Sequence, residues 1–353
     1  MPFRKRATRR LVERVPARQT GQCRVNGVPS GFARLRAWAR TLSLAFLAIP
    51  SLVQAAKPLP NLYGADELVE MRSYFADQVK TVLSEVVEPA LSGKELQIFK
   101  TVKMEYPPTA ESGDPLDFHV KDSTVVVPTL SSLFLQDLIV AYFWRETKGC
   151  GAEYIPLYLN MLKYRSASSL PGKKYVNPID AFGIPSPNVA TLAKQNTEFG
   201  VRFPRAYYGA VLFIVAHEIG HIVLQHQGFG SVAKEIAADN FALDIMAREQ
   251  IDPTGVWMVF LLSSMWVDSA ADHPLNGERI RTLGFRLLGH PQLYYPGAPP
   301  SDPRVPLLKE IGLKIVDLGD RVDRLAKEQQ LPLIALHTDP AEFVSCIPDK
   351  SNK

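Results

Sequence analysis

An excess of positive charge is lacking outside the first 56 residues, although the 353-residue chain has a formal net charge of +4. Residues 1–56 contain 11 of the 40 Lys and Arg residues and one of the 36 acidic residues, which leaves 29 basic and 35 acidic side chains elsewhere. The remainder is therefore acidic. This excludes nucleic acid as the partner, because the positive charge that phosphate contact needs does not lie on the folded part.

Cysteine is also rare, with only three residues in the chain. Cys23 lies in the basic N-terminal region, so Cys150 and Cys346 form the remaining pair. An even pair in an oxidising compartment predicts a disulfide bond. Two buried free thiols would give the same sequence pattern, and thiol labelling with and without reductant separates the two alternatives.

The uncharged apolar run at 41–56 is too short to span a bilayer comfortably. Arginines at 34–40 precede it, and it ends in the small-x-small pattern Val53-Gln54-Ala55. A basic region, a short apolar run and a small-residue cleavage site are typical of a secretory signal peptide. We therefore expect an exported protein, periplasmic or secreted, without a stable membrane span once the leader is removed. An uncleaved leader that anchors the chain in the membrane is the alternative.

The chain has no internal repeat and no low-complexity tract, so local patterns define its elements. Apolar residues at helical spacing predict helices at 65–91, 129–145, 206–227, 231–250, 254–268, 276–288 and 307–328. Weak alternation over 96–106 and a short β-branched run at 123–127, each ended by proline, predict two strands. The predicted fold class is predominantly helical α+β.

Five regions follow from these elements. We expect a basic leader and signal peptide at 1–56, a helix and strand region at 57–147, a Pro/Gly-rich connecting segment at 148–205, a zinc-binding core at 206–290 and a C-terminal helical extension at 291–353. The connecting segment has a helical patch near 154–164. Because long loops are often functional, it could form part of a substrate cleft or a lid, and an irregular surface crossing is the alternative.

The most informative segment is His217-Glu218-Ile219-Gly220-His221, an H-E-x-x-H motif inside an apolar run that predicts a buried helix. The two histidines are four residues apart, so both imidazoles can reach one metal ion from the same helix face. Glu218 lies about 100° around the helix, where it can meet a metal-bound water. Burying these side chains is costly unless a partner such as zinc satisfies them. The alternative is a satisfied pair of core histidines, with Glu218 at the helix surface.

A third ligand is expected on the next helix, because catalytic zinc typically has three protein ligands and one open position. Glu235 lies fourteen residues after His221, across a glycine-containing turn that permits an antiparallel helical hairpin. Asp239, four residues later on the same face, is placed to accept a hydrogen bond from the far nitrogen of a ligand histidine. The alternative for Glu235 is a solvated acid paired with Lys234 or Arg248.

His226 is a weaker candidate. It lies five residues after His221, about 140° from the ligand face, and we interpret it as a helix-end residue. This spacing also excludes the H-x-x-G-x-x-H continuation that is typical of metzincins.

Three segments of the chain carry a family resemblance. They are His217-Glu218-Ile219-Gly220-His221, then Glu235 with Asp239, and then Asp272-His273-Pro274 with Arg279 and Ile280. Together they resemble the peptidase family of the CAAX prenyl endopeptidase, bacterial HtpX and the periplasmic protease BepA. The resemblance covers about residues 206–290 and implies a mainly helical, zincin-like gluzincin fold. For the site it implies zinc ligands His217, His221 and Glu235, base Glu218, supporting Asp239, and a loop near the cleft that carries His273 and Arg279.

These residues predict a zinc metalloendopeptidase that hydrolyses polypeptides of the envelope or the extracellular space. A zinc-activated water attacks the carbonyl, while Glu218 takes its proton and passes it to the leaving amine. The oxyanion needs a further stabiliser, for which His273 and Arg279 are candidates. A helix N-terminal break and a surface charge are the alternative interpretations of these two residues.

A second hypothesis is a latent or non-catalytic zinc-binding envelope protein with a chaperone-like or partner-binding role. In this case a partner would dock on the 148–205 segment, and His273 or a loop residue would fill the open zinc position. No feature of the sequence indicates an oligomeric state.

Overall fold

The computed structural model describes residues 62–110, 114–151, 154–228, 230–264, 273–328 and 343. The chain divides into two compact units, and the first, Met1–Val53, lies outside the described residues. The predicted leader, Cys346 and Asp272 also lie outside them. Every element below belongs to the second unit, Gln54–Lys353.

Helices dominate this unit, which confirms the predominantly helical α+β class. They are α1 (Ala65–Val82), α2 (Gly93–Phe99), α3 (Thr129–Thr147), α4 (Tyr154–Tyr164), α5 (Pro178–Ala181), α6 (Val189–Gln195), α7 (Thr197–Val223), α8 (Val232–Arg248), α9 (Val256–Ser263), α10 (Gly277–Gly289) and α11 (Arg304–Glu328). A π-helical turn at Leu83–Val87 and a last turn at Glu88–Ala90 continue α1. Short 3₁₀ turns lie at Ala167–Ser169, Pro171–Lys173, Pro253–Gly255 and Pro291–Leu293.

The sheet has three short strands in the order β1-β3-β2. They are β1 (Lys103–Glu105), β2 (His119–Lys121) and β3 (Thr124–Val126). β1 pairs with β3 in parallel, and β2 pairs with β3 as an antiparallel hairpin. Because β2 lies at the sheet edge and contacts α7, the sheet brings one of its edges to the main helix.

α7 is the central helix of the fold. It contacts α3, α6, α8 and α9, and most of its residues are buried. Among the described helices, α7 is long and apolar enough to cross a membrane by length and composition alone. Its apolar stretch is 72% buried, and a core helix passes the same test. The apolar composition of α7 is therefore explained by packing inside the protein.

Three elements differ from the sequence prediction. α7 begins at Thr197 rather than at 206, because Asn196 caps its first turn and the helix continues through Pro204. The predicted strand at 96–106 is wrong in its first part, since Gly93–Phe99 is helical and only Lys103–Glu105 is extended. The predicted helix at 254–268 is found over Val256–Ser263, and residues 265–272 lie outside the described part.

α7 and α8 form the hairpin that positions the site. The side chain of Ser231 caps α8 by accepting from the backbone N–H of Lys234 at 3.3 Å. Gly220 lets the two helices approach closely, because a Cβ atom at this position would lie 3.0 Å from the ring of Phe241. The sequence therefore fixes both the start of α8 and its distance from α7.

Cys150, just after α3, is disulfide-bonded. Its predicted partner, Cys346, lies outside the described residues, but Phe343 is described. The carbonyl oxygen of Phe343 accepts from Nη1 of Arg145 at 2.7 Å, and its ring packs against Tyr158 and Phe182. Phe343 therefore lies against the last turn of α3, which Cys150 follows.

Candidate metal centre

Two helices carry most of the sequence-predicted site. α7 presents His217, Glu218 and His221 near its C-terminal end, while α8 presents Glu235 and Asp239 in its first half. All of these side chains except His221 are buried, and Glu235 has no exposed surface. The hairpin therefore brings five polar side chains together inside the protein.

Three donor groups converge at spacings that suit one small cation. Nε2 of His217 and Nε2 of His221 are 3.1 Å apart. Glu235 lies 3.3 Å from each nitrogen, through Oε2 to His217 and through Oε1 to His221. Donor atoms on a tetrahedral ion with bonds of about 2.0–2.1 Å would be about 3.3 Å apart. These nitrogen and oxygen atoms could therefore hold a metal ion.

The carboxylate of Glu235 divides its oxygens between different neighbours. Oε2 lies 2.8 Å from Nη1 of Arg279 and 3.2 Å from Nδ1 of His273. Oε1 is buried and accepts no aligned hydrogen bond from the described residues. Since a buried carboxylate oxygen without a donor is costly, Oε1 suits a cation ligand. The alternative of a solvated acid paired with Lys234 or Arg248 is wrong, because Glu235 is fully buried.

Asp239 connects a candidate ligand to Arg279. Its Oδ1 lies 2.8 Å from Nδ1 of His217, which is a hydrogen-bond distance although the ring N–H is not aligned on the oxygen. Arg279 donates from Nε and Nη2 to the two oxygens of Asp239, both at 2.8 Å. This guanidinium is buried and contacts two carboxylates, so Arg279 is not a surface charge. It compensates the negative charge beneath the candidate ligands.

His273 and Glu218 face each other beside these ligands. Nε2 of His273 lies 3.9 Å from Oε2 of Glu218. Burial raises the pKa of Glu218, while positive charge on His273 and His217 opposes the rise. His273 also joins His217, His221 and Glu235 in a group whose potential ligand atoms lie within 4.8 Å of one another. The group therefore offers four potential metal ligands, with the buried carboxylate of Glu218 next to them.

The two histidines of the motif have opposite electrostatic surroundings. Burial lowers the pKa of His217, but the carboxylates of Asp239 and Glu235 outweigh this effect and raise it to about 9. Burial and the positive charge of His217 lower the pKa of His221 to about 3. Burial raises the pKa of Glu235, yet His217, His273 and Arg279 bring it well below its usual range. Side chains alone therefore keep His221 neutral and Glu235 ionised, the forms that bind metal.

Two further histidines approach the site without having been predicted to do so. Nδ1 of His226 lies 3.0 Å from Nδ1 of His221, although His226 follows the end of α7. His119, on the edge strand β2, lies 2.7 Å from Asp117 through Nδ1, and its charge weakly lowers the pKa of Glu218. Helical spacing could not reveal either one, because one follows a chain reversal and the other comes from the sheet.

Comparison with known proteins finds a family model that matches part of the chain. A search of curated proteins and a search of solved structures find no match to the chain. The narrower family predicted from the three sequence segments stays a prediction. A family model described as Peptidase U49 matches residues 166–287, a range that contains the site on α7 and α8 together with His273 and Arg279. The match supports a peptidase family, and hence a hydrolase that acts on polypeptides.

Proposed function

We propose that the protein is a zinc metallopeptidase of the gluzincin type, with a zincin-like domain. The observation that carries the proposal is the convergence of His217, His221 and Glu235 beside the buried carboxylate of Glu218. The match to a peptidase family model over the same region supports the peptidase part of the proposal. The basic leader and the short apolar run at 41–56 support export to the envelope or the extracellular space.

The donor set favours zinc among the divalent metals. Two imidazole nitrogens and one carboxylate oxygen form a common ligand set of catalytic zinc sites. Glu235 supplies Oε1, which lacks an aligned donor among the described residues, and so this atom gains a partner when a cation binds. When bound, zinc would lower the pKa of a water molecule and polarise the substrate carbonyl.

The protein side chains supply the proton transfer and the orientation of the ligands. Glu218 is buried, and its raised pKa suits a group that takes a proton from water and returns it to the leaving amine. Asp239 lies at Nδ1 of His217, so it favours the tautomer whose Nε2 is free to bind metal. Arg279 holds Asp239 through two hydrogen bonds and thereby fixes the position of that carboxylate.

The proposal is tested by measuring zinc content and cleavage of unfolded casein with the purified protein. Glu218→Gln should keep one zinc per chain and lower the cleavage rate about 10²–10⁴-fold, because it removes only the base. The matched control is Glu198→Gln on the exposed part of the same helix, which should change neither quantity. A wild-type protein without zinc, or a Glu218→Gln variant with full cleavage, would contradict the proposal.

The second candidate function is a latent zinc protein, and the position of His273 favours it specifically. Its Nδ1 lies 3.2 Å from Oε2 of Glu235, within the group of four potential ligands. A fourth protein ligand would occupy the position that a catalytic site keeps open. His273→Ala should therefore raise casein cleavage if the enzyme is latent. It should lower cleavage if His273 assists the reaction, with zinc content measured in both cases.

A further inference from the structure

We propose that His226 is a positioning residue that orients the zinc ligand His221 from the end of α7. The inference rests on the zinc site proposed above and adds a residue to it. Nδ1 of His226 lies 3.0 Å from Nδ1 of His221, and the two rings meet edge to face with centroids 5.0 Å apart. His226 lies outside the group of four potential ligands, so its role would be to hold a ligand.

The backbone at the end of α7 brings the two histidines together. Gln225 has a positive φ of 57°, which reverses the chain direction after the last helical turn. Its N–H donates to the carbonyl of Ile222 at 3.0 Å, and the N–H of His226 donates to the carbonyl of His221 at 2.9 Å. This pair of bonds is a Schellman motif. The motif joins residue 226 to residue 221 through the main chain, so the side chains of these two residues also meet.

The end of α8 shows what such a motif contains elsewhere in the same protein. Gln250 also has a φ of 57°, and the N–H of Ile251 donates to the carbonyl of Met246 at 2.8 Å. An apolar residue at the position of Ile251 is common, because it packs against the helix. α7 has the same backbone and places His226 where α8 has Ile251. The histidine is therefore not required by the motif itself.

The chemistry of the two rings fits this role. Nε2 of His221 faces His217 and Glu235, so metal binding through Nε2 leaves the ring proton of His221 on Nδ1. This N–H can donate to Nδ1 of His226, whose own proton then lies on Nε2. Such a bond fixes both the tautomer and the ring plane of the ligand. Asp239 lies at the equivalent nitrogen of His217, at 2.8 Å, so each ligand histidine has a partner at Nδ1.

The test measures zinc affinity by competition with a chromophoric chelator, so it does not depend on catalysis. His226→Leu removes the acceptor and should weaken zinc binding about 10–100-fold, as other losses of outer partners do. Its zinc-free form should keep the wild-type thermal midpoint, because leucine suits the apolar position of the motif. His226→Asn retains an acceptor oxygen and should recover most of the affinity.

A control variant makes the result specific. His290→Leu removes an exposed histidine from the end of α10 and should leave zinc affinity unchanged. Equal zinc affinity in wild type and His226→Leu, or equal weakness of the Leu and Asn variants, would overturn the inference while leaving the zinc site in place. A wild-type protein that binds no zinc would overturn the proposed function as well.

Discussion

The regions around His217 and His221 hold two imidazoles of one helix in different ways. His217 is buried next to Asp239, and Arg279 holds Asp239 in turn, so charged side chains support this histidine. His221 is partly exposed at the end of α7 and has the imidazole of His226 at its Nδ1. The comparison shows that adjacent turns of a helix can support two candidate ligands of the same kind, one through a charged network and the other through a helix terminus.

The stability of the protein should be more sensitive to substitutions around His217 than to substitutions around His221. A buried charge whose partner is removed costs several kcal/mol, whereas a bond at a partly exposed helix end costs less. The His217 region contains two buried carboxylates that share one guanidinium. We therefore expect the largest effects on stability from this region, and smaller effects at the end of α7.

Arg279→Met should have the largest effect, because it removes the guanidinium that both Asp239 and Glu235 contact. We expect the free energy of unfolding of the zinc-free protein to fall by about 3–5 kcal/mol, measured by urea denaturation. The control is Arg281→Met on the same helix, whose partners Asp320 and Asp323 are exposed or partly exposed. It should cost about 0–1 kcal/mol. Similar losses in the two variants would show that the Arg279 network contributes no more to the stability of the protein than an exposed ion pair does.

The pH dependence of the zinc-free protein should separate the two histidines. The folded-state pKa of His217, about 9, lies above the unfolded value near 6.5. The contribution of His217 to the free energy of unfolding is therefore fully present below about pH 6.5. It is lost as the pH rises through about 9, by an amount on the order of 3 kcal/mol. The folded-state pKa of His221, about 3, lies below the unfolded value. The unfolded chain then binds a proton first, so stability is lost as the pH falls below about 6.5.

Denaturation of the chelator-treated protein at pH 5, 6.5 and 9 measures both effects. We expect the highest stability near pH 6.5, with losses on both sides. In His221→Asn the loss between pH 6.5 and pH 5 should shrink, while the loss at pH 9 should remain because His217 is still present. If the loss of stability at pH 9 disappeared in this variant, the raised pKa would not belong to the His217 region.

Asp239→Asn should reduce zinc affinity about 10–100-fold, because the amide orients His217 less strongly than a carboxylate does. The control is Asp244→Asn, an exposed residue of the same helix that pairs with Arg286. It should bind zinc as tightly as the wild type. If Asp239→Asn weakened binding less than His226→Leu, the imidazole at the end of α7 would be the stronger support, and the expected order of the two regions would be reversed.

Local spacing was sufficient to predict the parts of the site that lie along one helix. His217 and His221 share a face because they are four residues apart, and the same holds for Glu235 and Asp239. The bounds of α8 were predicted within two residues at each end, because an N-cap serine and apolar residues at helical spacing mark this helix. The start of α7 was missed because Pro204 suggests a break, whereas Asn196 caps an earlier first turn.

Tertiary contacts account for most of what was missed. Phe199, Phe203 and Tyr207 stack in succession, so the first turns of α7 gain stability from packing that local preference does not report. The run at 96–106 alternates weakly and was predicted as a strand, but its first residues belong to the helix Gly93–Phe99, because a short apolar run fits either period. The contact of His226 with His221 depends on a non-glycine residue with positive φ, which sequence statistics disfavour.

Gln225→Gly should have the smallest effect, and it tests the backbone of the His221 region directly. A side chain at positive φ is strained, and glycine removes this strain while adding entropy to the unfolded chain. We expect a net stabilisation of about 0.5–1 kcal/mol in urea denaturation, with zinc affinity unchanged because the Schellman bonds are kept. Gln250→Gly at the end of α8 should give the same gain, since its φ is the same. A lower zinc affinity in Gln225→Gly alone would mean that the restricted backbone of Gln225, and not only the imidazole of His226, holds the ligand in place.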